Sequence, residues 1–200
     1  MEMDLPATAV DQLASYLDLL VKWNRVYNLT AIRDEARMVS HHVLDSLAVV
    51  DHLPEGNLLD VGSGAGFPGI PIAISCPGRA VTLLDSNHKK GAFQRQAIAE
   101  LALTTTKAVT ERVEAYRPVE TFKIVISRAF SDLADFVKLA GHLCAPGGLM
   151  IAMKGVLTDD EVVRLSPPWT VEKNLRLDIP QLNASRHLIF LRSLPITSPN

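Results

Sequence analysis

The sequence predicts an α/β chain: a mainly parallel sheet, closed by an antiparallel pair of strands and preceded by a helical extension. Three observations predict it. From Asn57 to Lys154, short β-rich runs alternate with helical segments, which requires right-handed βαβ crossovers and parallel pairing. Within that region, Leu58–Gly69 ends an apolar run in Asp60 and then places Gly62, Gly64, Gly66 and Gly69 close together, as a strand, a tight turn and a helix start would. Beyond Lys154, Trp169–Leu177 and Arg186–Arg192 read as strands with no helix-length segment between them, so they pair antiparallel.

Residues 6–53 read as helical. Thr8-Ala-Val-Asp11 resembles a capping box after Pro6, and Leu13, Leu17, Leu20 and Trp23 recur at helical spacing. Asn24–Ile32 breaks the pattern and reads as an ordered loop. A second stretch starts near Asp34, with Ser40 a possible cap and Val43, Leu44, Leu47 and Val50 as its apolar face, until Pro54-Glu-Gly56 stops it. The strands that follow are Leu58–Val61, Ala80–Asp85, Thr105–Val109, Phe122–Ser127 and Leu149–Lys154. Helices are expected after the glycine turn, over His88–Leu101 and over Asp132–Leu143, the last ended by Pro146-Gly-Gly148. Thr158-Asp-Asp-Glu161 is a capping box opening a short helix. The change of pattern divides the chain into an N-terminal helical subdomain, 1–55, and a sheet domain, 56–200.

With 200 residues, 48% apolar and 21% charged, the chain is long and apolar enough to bury a sizeable core. The net charge of −2 gives no overall basic field for nucleic acid, though it leaves room for a local basic patch. Cys76 and Cys144 make no disulfide framework, and the six histidines show no metal-ligand spacing, so no metal is expected. No membrane span and no signal peptide are apparent, which points to the cytoplasm.

Gly64-Ala-Gly-Phe-Pro-Gly69 satisfies a dinucleotide-binding fingerprint, and Asp85 stands where such a site places its ribose-binding acid. The glycines alone therefore leave the cofactor open. Against a dehydrogenase, the chain has no Tyr-x-x-x-Lys pair, too little chain follows the fifth strand for a second catalytic domain, and the antiparallel end suits another family. Read as Asp60-x-Gly62-x-Gly64-x-Gly66, the stretch resembles the first motif of S-adenosylmethionine-dependent methyltransferases. The expected fold is then the Rossmann-like class I methyltransferase fold, a seven-stranded sheet of five parallel strands closed by an antiparallel pair. In it, Asp85 would accept hydrogen bonds from both ribose hydroxyls.

The flanking residues narrow the resemblance. Asn28-Leu-Thr-Ala-Ile32, His42-Val-Leu-Asp-Ser-Leu47, Asp60–Ile70, Leu83-Leu-Asp-Ser86, Arg112-Val-Glu114 and Ser127-Arg-Ala129 occur in that order. Together they closely resemble the ribosomal RNA small subunit methyltransferase G family, also called glucose-inhibited division protein B, over nearly the whole chain. The resemblance implies a bacterial, cytoplasmic enzyme that uses S-adenosyl-L-methionine to methylate N7 of one guanine in 16S rRNA of the small ribosomal subunit, with a monomer expected. Carried over residue by residue, Gly62, Gly64, Gly66 and Phe67 would meet the cofactor at the turn, Val113 and Glu114 would border the adenine, and Arg128 would stand at the cofactor–substrate junction as the catalytic candidate. Lys89-Lys90 stands where the family often has Lys-Arg, and Phe67 where it often has Leu; both keep charge or apolar bulk.

The chemistry agrees with what is missing. Guanine N7 has a free lone pair, so direct in-line attack needs no covalent enzyme intermediate and no prior deprotonation. Ser127-Arg-Ala-Phe130 stands where attack by an exocyclic amine would call for Asn/Asp-Pro-Pro-aromatic. Cys76-Pro77 lies away from the strand ends and reads as an ordinary buried cysteine. Arg128 could reach guanine O6, a phosphate or the cofactor carboxylate. Asn28 and Lys154 are candidates for base and phosphate contacts, with a loop hydrogen bond and a solvated surface as their structural alternatives. Lys22, Arg25, Arg33, Arg37, His41, His42, Lys89, Lys90 and Arg95 form either a phosphate-binding rim or a merely solvated face. Two other readings stay open: a methyltransferase acting on another RNA, a protein or a small molecule, and a non-catalytic module that binds cofactor or rRNA.

Overall fold

A computed structural model of the chain describes residues 5–182 and 184–194. Seven strands form one sheet in the order β3-β2-β1-β4-β5-β7-β6. The strands are β1 (Leu58–Val61), β2 (Val81–Asp85), β3 (Thr106–Thr110), β4 (Phe122–Ser127), β5 (Cys144–Lys154), β6 (Trp169–Leu177) and β7 (Arg186–Ser193). β1 to β5 pair in parallel; β7 runs antiparallel to both β5 and β6. The class I methyltransferase architecture is therefore present, antiparallel end included.

The period-two alternation of the central strands sorts their side chains onto two faces. Leu58, Leu83, Ile124, Ile126, Ile151 and Met153 join one apolar cluster; Leu59, Val61, Leu84, Val125, Met150 and Ala152 join the other. The helices are α1 (Ala9–Tyr27), α2 (Glu35–Met38), α3 (Asp45–Leu47), α4 (Gly69–Ser75), α5 (His88–Glu100), α6 (Leu133–Ala140) and α7 (Asp159–Val163). The first face is covered by α1, α4 and α5 and the second by α6. Leu13, Tyr16 and Leu20 of α1 thus lie in the same core as Ile70 and Ile72 of α4, and the segments on either side of the expected boundary at 55/56 share that core.

Several local expectations are corrected. Thr8 makes no side-chain cap; α1 opens on a turn in which Ala9 N–H donates to Pro6 O. The helix also runs through Asn24 to Tyr27, because Asn24 is buried and its side chain organises the exit, accepting from Thr30 N–H at 2.9 Å. Asp34 caps α2, but Ser40 lies inside a π-helical turn, Val39–Leu44, that joins α2 to α3. β5 begins at Cys144, ahead of Pro146-Gly-Gly148; those residues form an irregularity, since Phe122 pairs with Cys144 and Ile124 with Leu149. The capping box at Thr158 is present.

The chain direction across the sheet reverses between β1 and β4, so a crevice opens beyond their carboxyl ends. The glycine turn after β1, Asp85 at the end of β2 and Arg128 after β4 all meet at this edge.

Candidate active site

The turn is held from four sides. Asp60, fully buried, accepts from Gly69 N–H at 2.8 Å through Oδ2, tying the end of β1 to the start of α4. Gln94 of α5, also buried, donates to Ser63 Oγ at 2.8 Å and to Gly64 O at 2.7 Å. The Tyr16 hydroxyl of α1 donates to Ala65 O. Ser127 closes the fourth side: its hydroxyl donates to Val61 O at 2.7 Å and accepts from Ala129 N–H at 3.1 Å, which places Ala129 against Gly62. A Cβ on Gly62 would stand 2.6 Å from Ala129 Cβ, at a φ of 67° that side chains avoid. Gly64 differs, for a Cβ there would meet nothing closer than 3.9 Å. The turn is thus packed behind and open in front.

Two cavities flank that open side and share Gly62 and Ala129. The first, about 290 Å³, is lined by Val61, Gly62, Asp85, Val113, Glu114 and Phe130 among others. The second, about 180 Å³, is lined by Leu29, Thr30, His42, Phe67, Arg128 and the turn Gly62–Ala65. A larger cavity of about 760 Å³ lies beside the β3–β4 connection, lined by Thr82, Thr106 and Arg117, and shares no residue with the turn.

The 290 Å³ cavity fits a nucleoside cofactor. Asp85 Oδ2 accepts from Gly64 N–H and Oδ1 from Asn87 N–H, each at 2.8 Å, so each oxygen keeps a lone pair for a ribose hydroxyl. Val61 and Val113 offer apolar wall, and Gly62 lines the same cavity with bare backbone. Of the residues expected to meet the cofactor, Gly62, Asp85, Val113 and Glu114 line this cavity, and Gly62, Gly64, Phe67 and Arg128 line its neighbour. Gly66 lies behind the turn, where a Cβ would run into Ile70 and the Tyr16 hydroxyl.

Phe67 is buried and forms a wall of the smaller cavity: His42 stacks on it at 4.5 Å between centroids, and the Arg128 guanidinium lies 5.4 Å from its ring centre. Arg128 itself is strongly engaged. Its Nη1 donates to His41 O and Asp45 Oδ2, both at 3.1 Å, and its Nη2 donates to His42 Nδ1 at 3.3 Å. Asp45, fully buried, also accepts from Arg186 Nε at 2.7 Å. Burial, reinforced by the Arg128 charge, lowers the His42 pKa from 6.5 to about 4. His42 therefore leaves the expected basic rim and belongs to the site as a neutral ring.

The other two candidates stand apart. Asn28 is the left-handed residue ending α1, and its exposed side chain accepts from Arg33 Nη2 at 3.0 Å. Lys154 is buried, with its ammonium held by Ser131 O and Glu161, so it presents no free charge to a phosphate. Tyr16, Gln94, Asp45, Thr30 and Arg186 were not singled out from sequence. For Tyr16, a polar group among Leu13 and Leu20 on the apolar stripe of α1 was the available signal.

Comparison with known proteins gives the family and the fold. Residues 9–189 match the family profile described as rRNA small subunit methyltransferase G. The Ribosomal RNA small subunit methyltransferase G of Laribacter hongkongensis is 52% identical over 95% of this chain and 93% of its own length. That of Chromobacterium violaceum is 53% identical over 94% and 90%. Among solved structures, the glycopeptide N-methyltransferase MtfA superposes with a TM-score of 0.62 at 15% identity, over 80% of this chain and 99% of MtfA. TrmN from Thermus thermophilus does so with a TM-score of 0.58 at 19% identity, over 74% and 47%. The structural likenesses speak for the fold; the sequence matches, spanning nearly the whole chain, show that it belongs to the rRNA small subunit methyltransferase G family.

Proposed function

We propose that this chain methylates N7 of a guanine in 16S rRNA of the small ribosomal subunit, using S-adenosyl-L-methionine, with Arg128 at the junction of cofactor and base. The observation that carries the reading is the meeting of the two cavities at Gly62 and Ala129, in a chain of this family. The larger would hold the nucleoside, through Asp85 on the ribose and Val113 and Glu114 beside the base; the smaller would admit the nucleophile. Bound there, the cofactor would supply an electrophilic methyl group for in-line attack by the N7 lone pair, with its thioether as the leaving group.

The residues of the smaller cavity suit a nucleophile that arrives without a proton to lose. Its described lining contains no carboxylate, and its one imidazole is held neutral with Nδ1 already engaged by Arg128. What the chain supplies is orientation and exclusion of water: Phe67, Leu29 and Ala129 make apolar wall, and Arg128 keeps two N–H groups without partners among the described residues. Positioning of this kind is worth up to roughly 7–11 kcal/mol in the best cases.

The RNA would be gripped by exposed cations: Lys22, Arg25, Arg33 and Arg37 from the N-terminal segment, Lys89 and Arg95 from α5. Affinity for small subunits should then fall steeply with salt. We take the enzyme to act as a monomer in the cytoplasm; no helix among the described residues is long and apolar enough to cross a membrane.

The test is transfer of labelled methyl to small subunits lacking the modification, followed by mapping of the product. Label at a guanine N7 of 16S rRNA is expected. Label on ribosomal protein or on another base, or cofactor binding without transfer, would overturn the reading.

A further inference from the structure

Thr30 lines the 180 Å³ cavity, and among the described residues its hydroxyl makes two contacts: Ile32 N–H donates to Oγ1 at 3.2 Å, and His42 Nε2 lies 2.9 Å away. The direction of the second bond follows from the other side of the ring. Arg128 has only donors, so the bond between its Nη2 and His42 Nδ1 requires Nδ1 to accept. A neutral imidazole that accepts at Nδ1 carries its proton on Nε2, and Nε2–H therefore donates to Thr30 Oγ1. The lowered pKa of His42 is consistent with the neutral ring this requires.

The consequence falls on the hydroxyl. A threonine Oγ has two lone pairs and one proton, and here both lone pairs are taken, by Ile32 N–H and by His42 Nε2–H. Only the proton remains for a ligand. A free hydroxyl donates or accepts as its partner demands and so discriminates poorly; this one can only donate.

We infer that Thr30 is a specificity-determining residue that donates to O6 of the target guanine, held as a donor by the chain from Arg128 through His42. The inference rests on the proposed guanine-N7 reading. The edge of the base presented for attack makes the discrimination physical. Beside N7, guanine carries the acceptor O6, whereas adenine carries the donor N6 amino group. A hydroxyl limited to donation matches the first and opposes the second, so the two purines are told apart at the atom next to the one that reacts. His42, which does not itself need to touch the base, is a positioning residue in this arrangement.

The experiment is a cycle between the side chain and the base. Small subunits lacking the modification are reconstituted with guanine or with 2-aminopurine, which keeps N7 but lacks O6, at the target position. Wild type, Thr30→Val and Thr30→Ser are compared on both. On guanine, Thr30→Val is expected to lower kcat/KM roughly tenfold, as loss of a hydrogen bond does, and Thr30→Ser to recover most of it. On 2-aminopurine, wild type and Thr30→Val should differ little, because the bond has no acceptor there. The Kd of S-adenosyl-L-methionine should be the same for all three proteins. The same loss on both bases, no loss on guanine, or a loss explained by weaker cofactor binding would each overturn the inference. Failure of the underlying reading looks different: wild type would transfer no methyl to the guanine-containing subunits, and the inference would fall with it.

Discussion

The Arg128 guanidinium reaches the carboxylate of Asp45, 83 residues earlier in the chain, at 3.1 Å, and Asp45 has no exposed surface. The other oxygen of Asp45 takes Arg186 Nε at 2.7 Å. One buried carboxylate from the N-terminal helices thus binds an arginine after β4 and another at the start of β7, and it sets where Arg128 points.

This pairing changes what substitutions at Arg128 and Asp45 will report. Asp45→Ala leaves two arginines facing an uncharged cavity, and breaking a buried pair costs about 3–5 kcal/mol. Denaturant melts should show a loss of that order. Asp45→Asn keeps the shape and should cost less stability, yet lower methyl transfer, because Arg128 loses its charged anchor. Arg128→Ala should lower transfer sharply and stability as well, since Asp45 then keeps only Arg186. Near-normal turnover by a folded Arg128→Ala variant would exclude the role given to Arg128 here.

Gly62 and Ala129 make a second pair whose effects can be separated. Gly62→Ala meets a 2.6 Å contact with Ala129 Cβ and a φ of 67°. The left-handed conformation alone costs roughly 1–2 kcal/mol. Weakened cofactor binding, read by calorimetric titration, is the expected result. Adding Ala129→Gly removes the contact but not the backbone cost, so the double variant should recover part of the loss and no more. Full recovery would show that φ is unimportant at this turn.

Lys154 provides a test of structure against function at one residue. Its ammonium is paired with Glu161, the same residue that closes the capping box of α7. Lys154→Met should therefore cost about 3–5 kcal/mol by leaving Glu161 buried and unpaired. Lys154→Met with Glu161→Gln removes both charges while keeping an acceptor for Thr158 N–H, and should be more stable than the single variant. The salt dependence of small-subunit binding should stay unchanged; a shallower slope in the folded variant would make Lys154 a phosphate contact after all.

Much of the fold was legible because the central strands are buried on both faces. Leu58–Val61 and Phe122–Ser127 match the expected strands end to end, their dense apolar runs leaving little freedom in register. Asp85 and the glycine turn were legible for a different reason, since a carboxylate at a strand end and closely spaced glycines have a local chemical meaning. Errors gathered where a side chain overrides local pattern. Asn24 looks like a loop residue, but it is buried and ties the exit of α1 to Thr30. Lys154 looks solvated at the end of a strand until α7 folds Glu161 onto it. Arg128 was legible as a site residue, but its assembly with Thr30, His42, Asp45 and Arg186 was not, because these residues come from four regions of the chain and their spacing carries no period.

Asp60 and His42 give the enzyme opposing dependences of stability on pH. Burial raises the Asp60 pKa from 3.8 to about 7, against the pull of Gly69 N–H and Arg128, and its Oδ1, buried with no partner among the described residues, is the atom available to carry the proton. Between pH 3.8 and 7 the folded state then holds a proton that the unfolded chain has released, so this residue makes stability fall as pH rises. For His42 the unfolded chain binds a proton below pH 6.5 that the folded state refuses until about 4, so its contribution is present above 6.5 and lost as pH falls through that window. From about pH 4 to 6.5 the two slopes oppose each other and partly cancel. Asp60→Asn removes one of them while keeping an acceptor for Gly69 N–H. Its stability relative to wild type, from urea melts at pH 5, 6 and 7, should improve steadily with pH. Parallel curves for the two proteins would mean that Asp60 ionises in the fold at its ordinary pKa.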